Sequence, residues 1–210
     1  MMRRDFIVLA TLAIVGMAYA GTQPGKNGSA KGSVILVVGD SLSAEYGLAR
    51  GTGWVTLLEQ RLAQEKIPAT VVNASVSGDT TAGGRARLAA LLKLHQPTHV
   101  VLELGSNDAL RGLPLANTQD NLDWMTEQAQ AAGARVLLVG MQMPPNYGAD
   151  YGRRFASLFE AVAKERKAAL VPFLLKGVAD APNPTALFQP DRIHPRSEAQ
   201  PRMLDNVWPE

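Results

Sequence analysis

The chain has 210 residues, a formal net charge of +2 and no cysteine, which excludes a disulfide-stapled scaffold and a lipid anchored on an N-terminal cysteine. With 21 basic and 19 acidic residues, there is no bulk electrostatic attraction for nucleic acid or an anionic membrane. The length suits one domain, and 46% hydrophobic residues suffice for a core without staples.

Arg3 and Arg4 form a basic start, Phe6 to Met17 is apolar, and Ala18-Tyr19-Ala20 fits a small-x-small cleavage site. The apolar run is shorter than the ~20 residues of a membrane span, so residues 1–20 read as a secretory signal and no stable membrane insertion is expected. Arg3-Arg4-Asp5-Phe6 is also similar to a twin-arginine signal, which leaves the export route open. Either route implies a periplasmic or secreted protein. Losing Arg3, Arg4 and Asp5 with the signal lowers the formal charge from +2 to +1. Residues 21–32, rich in glycine and lysine, read as a flexible tether, and 33–210 remain for a single domain.

Beyond the tether, strand and helix patterns alternate. Strand-like runs cover 33–38, 70–73, 99–104, 135–140 and 169–172. Helical patterns fill 54–65, 85–94, 117–132 and 151–167, with a last helix over 197–207. Near-continuous apolar strands are those covered by helices on both faces. The chain is therefore expected to form an α/β fold, a three-layer α/β/α sandwich around a mostly parallel five-stranded sheet.

Four polar segments interrupt this pattern. Gly39-Asp40-Ser41-Leu42-Ser43 follows the first strand, Asn73 to Thr80 the second, and Glu103-Leu104-Gly105-Ser106-Asn107-Asp108 the third; Asp191-Arg192-Ile193-His194-Pro195 precedes the last helix. A serine at the carboxyl edge of an open sheet stands where such folds bind ligands. It is a weak nucleophile without a base, an orienting carboxylate and an oxyanion site. His194 is the expected base, and Asp191, three residues ahead, the group that orients it. The Gly78 amide, the Asn107 side chain and the Ser41 amide are expected oxyanion donors, the last because Ser41 is read as starting a helix. Taken singly, each segment has a plainer reading. Ser41 or the Asp191–His194 pair caps a helix, Gly78 shapes a loop, and Asn107 and Asp108 close a strand.

Together, in this order, the four segments resemble the catalytic blocks of the SGNH (GDSL) hydrolase superfamily. Within it the chain is most similar to the bacterial periplasmic multifunctional thioesterase–lysophospholipase–arylesterase group. Leu110-Arg111-Gly112 and the run Met143 to Gly148 also carry that likeness, which spans about 34–208. The resemblance implies a flavodoxin-like fold, a Ser41–His194–Asp191 triad, an oxyanion hole of Ser41, Gly78 and Asn107, and no metal or cofactor. The partner it implies is a small-molecule acyl ester or lysophospholipid. An acyl pocket is expected between two loops, walled by Leu110, Leu113, Leu115, Met143 and Tyr147.

Three positions depart from the family pattern. Ser106 and Ala109 stand where glycine is usual, and Glu45 replaces a small residue. On a helix starting at Ser41, Glu45 would lie one turn on and face the site, there to favour the His194 cation, or else point to solvent. The expected activity is that of an exported serine esterase acting on aryl esters, short- and medium-chain acyl esters, thioesters and lysophospholipids. The alternatives are a carbohydrate O-acetyl esterase of the same superfamily and a non-catalytic binding module.

Overall fold

The computed structural model describes residues 32–210; the expected signal and all but the last residue of the tether lie outside the described residues. Five strands form one sheet: β1 (Ser33–Gly39), β2 (Ala69–Asn73), β3 (His99–Glu103), β4 (Arg135–Val139) and β5 (Ala169–Val171). Their order is β2-β1-β3-β4-β5 and every pairing is parallel, which bears out the expected α/β class.

The helices are α1 (Trp54–Gln64), α2 (Thr81–His95), α3 (Ser106–Leu110), α4 (Leu115–Ala131), α5 (Ala149–Arg166) and α6 (Gln200–Val207). From β1 the chain first steps outward to β2, then returns past β1 to build β3, β4 and β5. Right-handed crossovers therefore put α1 on one face and α2, α4 and α5 on the other. Leu36, Val37, Val38, Val100 and Leu102 have no or almost no exposure between these layers. Phe155 and Phe159 of α5 meet edge to face at 5.3 Å, a favoured aromatic geometry.

Two features differ from the sequence reading by more than three residues, while the other helices shift by three or fewer, α6 starting at Gln200 after a short 3-10 turn over Ser197–Ala199. Helix α2 starts at Thr81 rather than near Arg85, because the Thr80 hydroxyl accepts the Gly83 N–H and the buried Asp108 carboxylate accepts Thr81 N–H at 2.9 Å. Those two acceptors supply the cap that the Gly83-Gly84 pair obscures. The five-residue α3, directly after β3, was not expected; its shortness leaves no hydrophobic period to detect. It matters because it carries Asn107.

The reversal of winding at β1 makes its carboxyl end the switch point of the sheet, where open α/β folds form their crevice. Gly39 ends β1 beside Glu103, its register partner in β3. A β-carbon on residue 39 would stand 2.8 Å from the Ser43 side chain and 2.9 Å from a Glu103 carboxyl oxygen, so only glycine lets the chain pass.

Candidate active site

Beyond Gly39 the chain folds into consecutive turns over 41–47 rather than the helix expected at Ser41. Asp40 organises them: its side chain accepts Leu42 N–H at 2.9 Å and its carbonyl accepts the amides of Ser43 and Ala44 at 3.2 and 3.0 Å. Three successive amides are thereby satisfied, and Ser41 N–H is left without an acceptor among the described residues. The amide expected from a helix start is thus free for a different reason.

The Ser41 hydroxyl lies 2.9 Å from His194 Nε2, and His194 Nδ1 lies 2.7 Å from Asp191 Oδ2. Asp191 Oδ1 accepts the amides of Ile193 and His194 at 2.9 and 3.1 Å, closing a tight turn on its own side chain. Burial by itself would raise the Asp191 carboxyl, but those amides and the imidazole hold it down at about 2. An ionised Asp191 accepts the Nδ1–H hydrogen bond and keeps the proton on Nδ1, so Nε2 is free to accept the Ser41 hydroxyl proton.

The loop carrying His194 is braced. Phe188 and Pro195 form an antiparallel bridge, and Gln189 N–H donates to the His194 carbonyl at 2.8 Å. The Gln189 side-chain amide donates to the Tyr46 carbonyl at 2.9 Å. The Tyr46 ring rests against the imidazole with centroids 4.4 Å apart, a partner that the sequence reading missed.

Gly78 sits at φ +77°, the left-handed region that glycine occupies without strain. Its N–H meets no acceptor among the described residues, while its carbonyl accepts from Arg111 at 2.8 Å. The loop beneath is held by Arg87, which pairs with Asp79 at 2.8 Å and donates to the Ala74 carbonyl. Asn107 gives one side-chain N–H to Asp40 Oδ2 at 3.0 Å, which leaves its second N–H unspent. Asp108, buried behind it, accepts from Thr81 at both backbone and hydroxyl and so anchors α3. Ser41, His194, Asp191, Gly78 and Asn107, the residues expected to work together, thus present complementary donors and acceptors from three loops and the short helix α3.

Asp40 and Glu103 form a second, buried layer under this surface. Burial pushes Asp40 up to about 6, against the pull of the Leu42 amide, His194 and Asn107. Glu103 is fully buried and is raised well above the usual carboxylate range, by burial first and the Asp40 charge second.

A cleft of about 600 Å³ opens beside Ser41 and His194, walled by Leu110, Met143, Pro144, Phe173, Leu175 and Phe188. Of the five residues expected to line an acyl pocket, Leu110 and Met143 border this cleft. Leu113 and Tyr147 are each 39% exposed outside its lining, and Leu115 starts α4 packed against the core. Leu113 is turned out where its amide bonds back to the Asp108 carbonyl. Phe173, Leu175 and Phe188 were not singled out, because they follow β5 in a stretch with no regular period.

Glu45 neither faces His194 nor points to solvent. With no helix at 41–47, its carboxylate turns away to accept the amides of Gly51 and Gly53 and the Thr56 hydroxyl, at 2.8–3.1 Å. These donors outweigh its partial burial and lower its pKa.

A serine, an imidazole and a carboxylate in hydrogen-bonded series, at the switch point of a parallel sheet, define a candidate serine hydrolase centre. The chain belongs to the GDSL-like lipase/acylhydrolase family, which it matches over residues 37–200. It is 53% identical over 180 residues to Esterase TesA of Pseudomonas aeruginosa, covering 86% of this chain and 88% of that protein. It is 41% identical over 177 residues to Thioesterase 1/protease 1/lysophospholipase L1 of Escherichia coli K12, covering 84% and 82% of the two chains. The crystal structure of TesA superposes with a TM-score of 0.81 at 54% identity, covering 84% of this chain and 97% of that one.

Proposed function

We propose that this chain is an exported serine esterase that hydrolyses acyl esters and thioesters, aryl esters and lysophospholipids among them. The observation that carries the reading is the unbroken hydrogen-bonded series Ser41–His194–Asp191 beside two backbone amides without acceptors. His194 accepts the Ser41 proton as the hydroxyl oxygen attacks the acyl carbon, and Asp191 steadies the imidazolium. The N–H groups of Ser41, Gly78 and Asn107 stabilise the oxyanion of the tetrahedral intermediate. His194 then protonates the leaving alcohol or thiol, which departs from an acyl-enzyme on Ser41. Water, deprotonated by His194, attacks that ester and returns the serine with release of the acid.

The apolar walls of the cleft suit an acyl chain, and the names of the two relatives, esterase and thioesterase/lysophospholipase, support both ester and thioester substrates. Export rests on the basic start, apolar run and small-residue site of residues 1–20. Among the described residues no helix is long and apolar enough to cross a membrane.

Ser41→Ala is the test. It should lower p-nitrophenyl ester hydrolysis by about 10⁴-fold or more, abolish labelling by an alkyl phosphonate, and leave the circular dichroism spectrum unchanged. Activity or labelling retained in the folded variant would defeat the reading.

A further inference from the structure

Of the buried acids at the site, Asp40 closes the turn after β1 and Asp108 anchors α3, whereas Glu103 has neither task. It ends β3 with no exposure, its Oε2 accepting the Ser43 hydroxyl at 2.7 Å and the Asp40 amide at 3.3 Å. Its Oε1 has no donor among the described residues. Among the described residues no cation pairs with it: the guanidinium of Arg87 on α2 is taken up by Asp79 and the Ala74 carbonyl and otherwise reaches the Gly39 carbonyl at 3.4 Å. The remaining titratable groups on this side are Asp40 and, facing Asp40, His194. An ionised carboxylate buried without a cation costs several kcal/mol, so such a group keeps its proton.

A proton on Oε1 changes the accounting. Oε2 remains the carbonyl that accepts from the Ser43 hydroxyl and the Asp40 amide, while the protonated carboxyl becomes a donor to the neighbouring Asp40 carboxylate. The hydrogen bond between the two carboxyls favours the proton on Glu103 and the charge on Asp40. Asp40 Oδ2 in turn receives the Asn107 side-chain N–H. A fixed Asp40 fixes the plane of the Asn107 amide, and with it the direction of the second N–H.

We propose that Glu103 is a positioning residue that works as a neutral carboxylic acid: hydrogen-bonded to Asp40 and Ser43, it fixes Asp40 and through it the Asn107 donor of the oxyanion hole. It touches no reacting atom. The assignment rests on Ser41 being the nucleophile.

Glu103→Ala and Glu103→Gln are the test, with kcat and KM measured on a p-nitrophenyl ester. Glu103→Ala should lower kcat about 30- to 100-fold with KM within about twofold. Glu103→Gln, a neutral isostere that donates and accepts at the same places, should restore kcat to within about fivefold of the wild type. Because Glu103 acts through Asn107, adding Glu103→Ala to Asn107→Ala should cost less than about threefold more. Fully multiplicative losses, a glutamine variant as impaired as the alanine one, or an alanine variant with wild-type kcat would each overturn the proposal. Should the alanine variant not fold, infrared difference spectra of the wild type against Glu103→Gln decide. At about pH 8, with Asp40 ionised, the wild type should show the C=O stretch of a protonated carboxylic acid, absent from the variant. An ionised Glu103 would overturn the proposal. A wild type that neither hydrolyses the ester nor takes the phosphonate on Ser41 would instead defeat the serine esterase reading itself.

Discussion

At the carboxyl edge of the sheet the 600 Å³ cleft is bordered by Ser41, Asn107 and His194, whereas at the amino edge a cavity of about 510 Å³ is bordered by Ile35, Leu58, Ile67, His99, Arg135 and Lys167. The two hollows are similar in size, and each holds an imidazole beside apolar walls. They differ in what meets the ring. His194 lies between a carboxylate and a serine hydroxyl, while His99 Nδ1 meets the Thr98 hydroxyl at 2.9 Å. The cause is the direction of the strands. Loops leaving a parallel sheet at its carboxyl edge lead into following segments whose amides are unspent, as at Ser41 and Gly78. Segments arriving at the amino edge are helix ends that offer carbonyls. A site that must stabilise an oxyanion can be assembled only where free donors converge.

The largest effect that would sharpen this contrast is expected at Asn107. Asn107→Ala removes the side-chain donor and leaves Ser41, His194 and Asp191 in place. We expect kcat on a p-nitrophenyl ester to fall about 10²- to 10³-fold, with KM nearly unchanged. A loss under about fivefold would mean that the backbone amides suffice and that the carboxyl edge owes little to α3.

Glu45 separates fold from chemistry within that same edge. Its carboxylate holds the 51–56 segment through Gly51, Gly53 and Thr56. Glu45→Ala should cost about 1–2 kcal/mol of unfolding free energy, the worth of hydrogen bonds to a charged group, and leave the pH–rate profile of hydrolysis unmoved. A shifted profile would return Glu45 to the neighbourhood of His194.

Most of the sheet was legible because each strand contains a run of Val, Ile, Leu or Ala bounded by polar breaks, and the βα alternation admits few topologies. The catalytic candidates were legible for a different reason: Ser41 and Asn107 are polar residues close behind such runs, Gly78 lies in the polar segment after the second strand, and His194 stands in the polar segment before the last helix. Glu103 was visible too, as an acid inside the strand His99-Val100-Val101-Leu102-Glu103, but its role depends on Asp40 and Ser43, 60 or more positions away. Tyr46 and Phe188 are brought to the site by the Gln189 and Pro195 contacts, and no local pattern records contacts of that span. Glu45 misled because a helix was assumed from Ser41 onward; Asp40, by taking up three consecutive amides, closes turns instead.

The smallest effect, and the one that tests the amino edge, concerns Arg135. His99 is held below its ordinary pKa by burial first and by the Arg135 guanidinium second. Arg135→Ala removes the second cause, so His99 should titrate closer to its ordinary value, as followed by the ring proton shifts in NMR. Because the folded state disfavours the His99 cation, wild-type stability declines as pH falls through the unfolded-state value of about 6.5. The variant, with one less opposing charge, should show a shallower decline in urea melts at the same pH values. Hydrolysis should stay within about twofold of wild type, since no hydrogen bond connects His99 or Arg135 to Ser41 among the described residues. A larger loss of kcat would show that the two edges are coupled through β3, which joins His99 at one end to Glu103 at the other, and would break the separation between a reactive edge and an inert one.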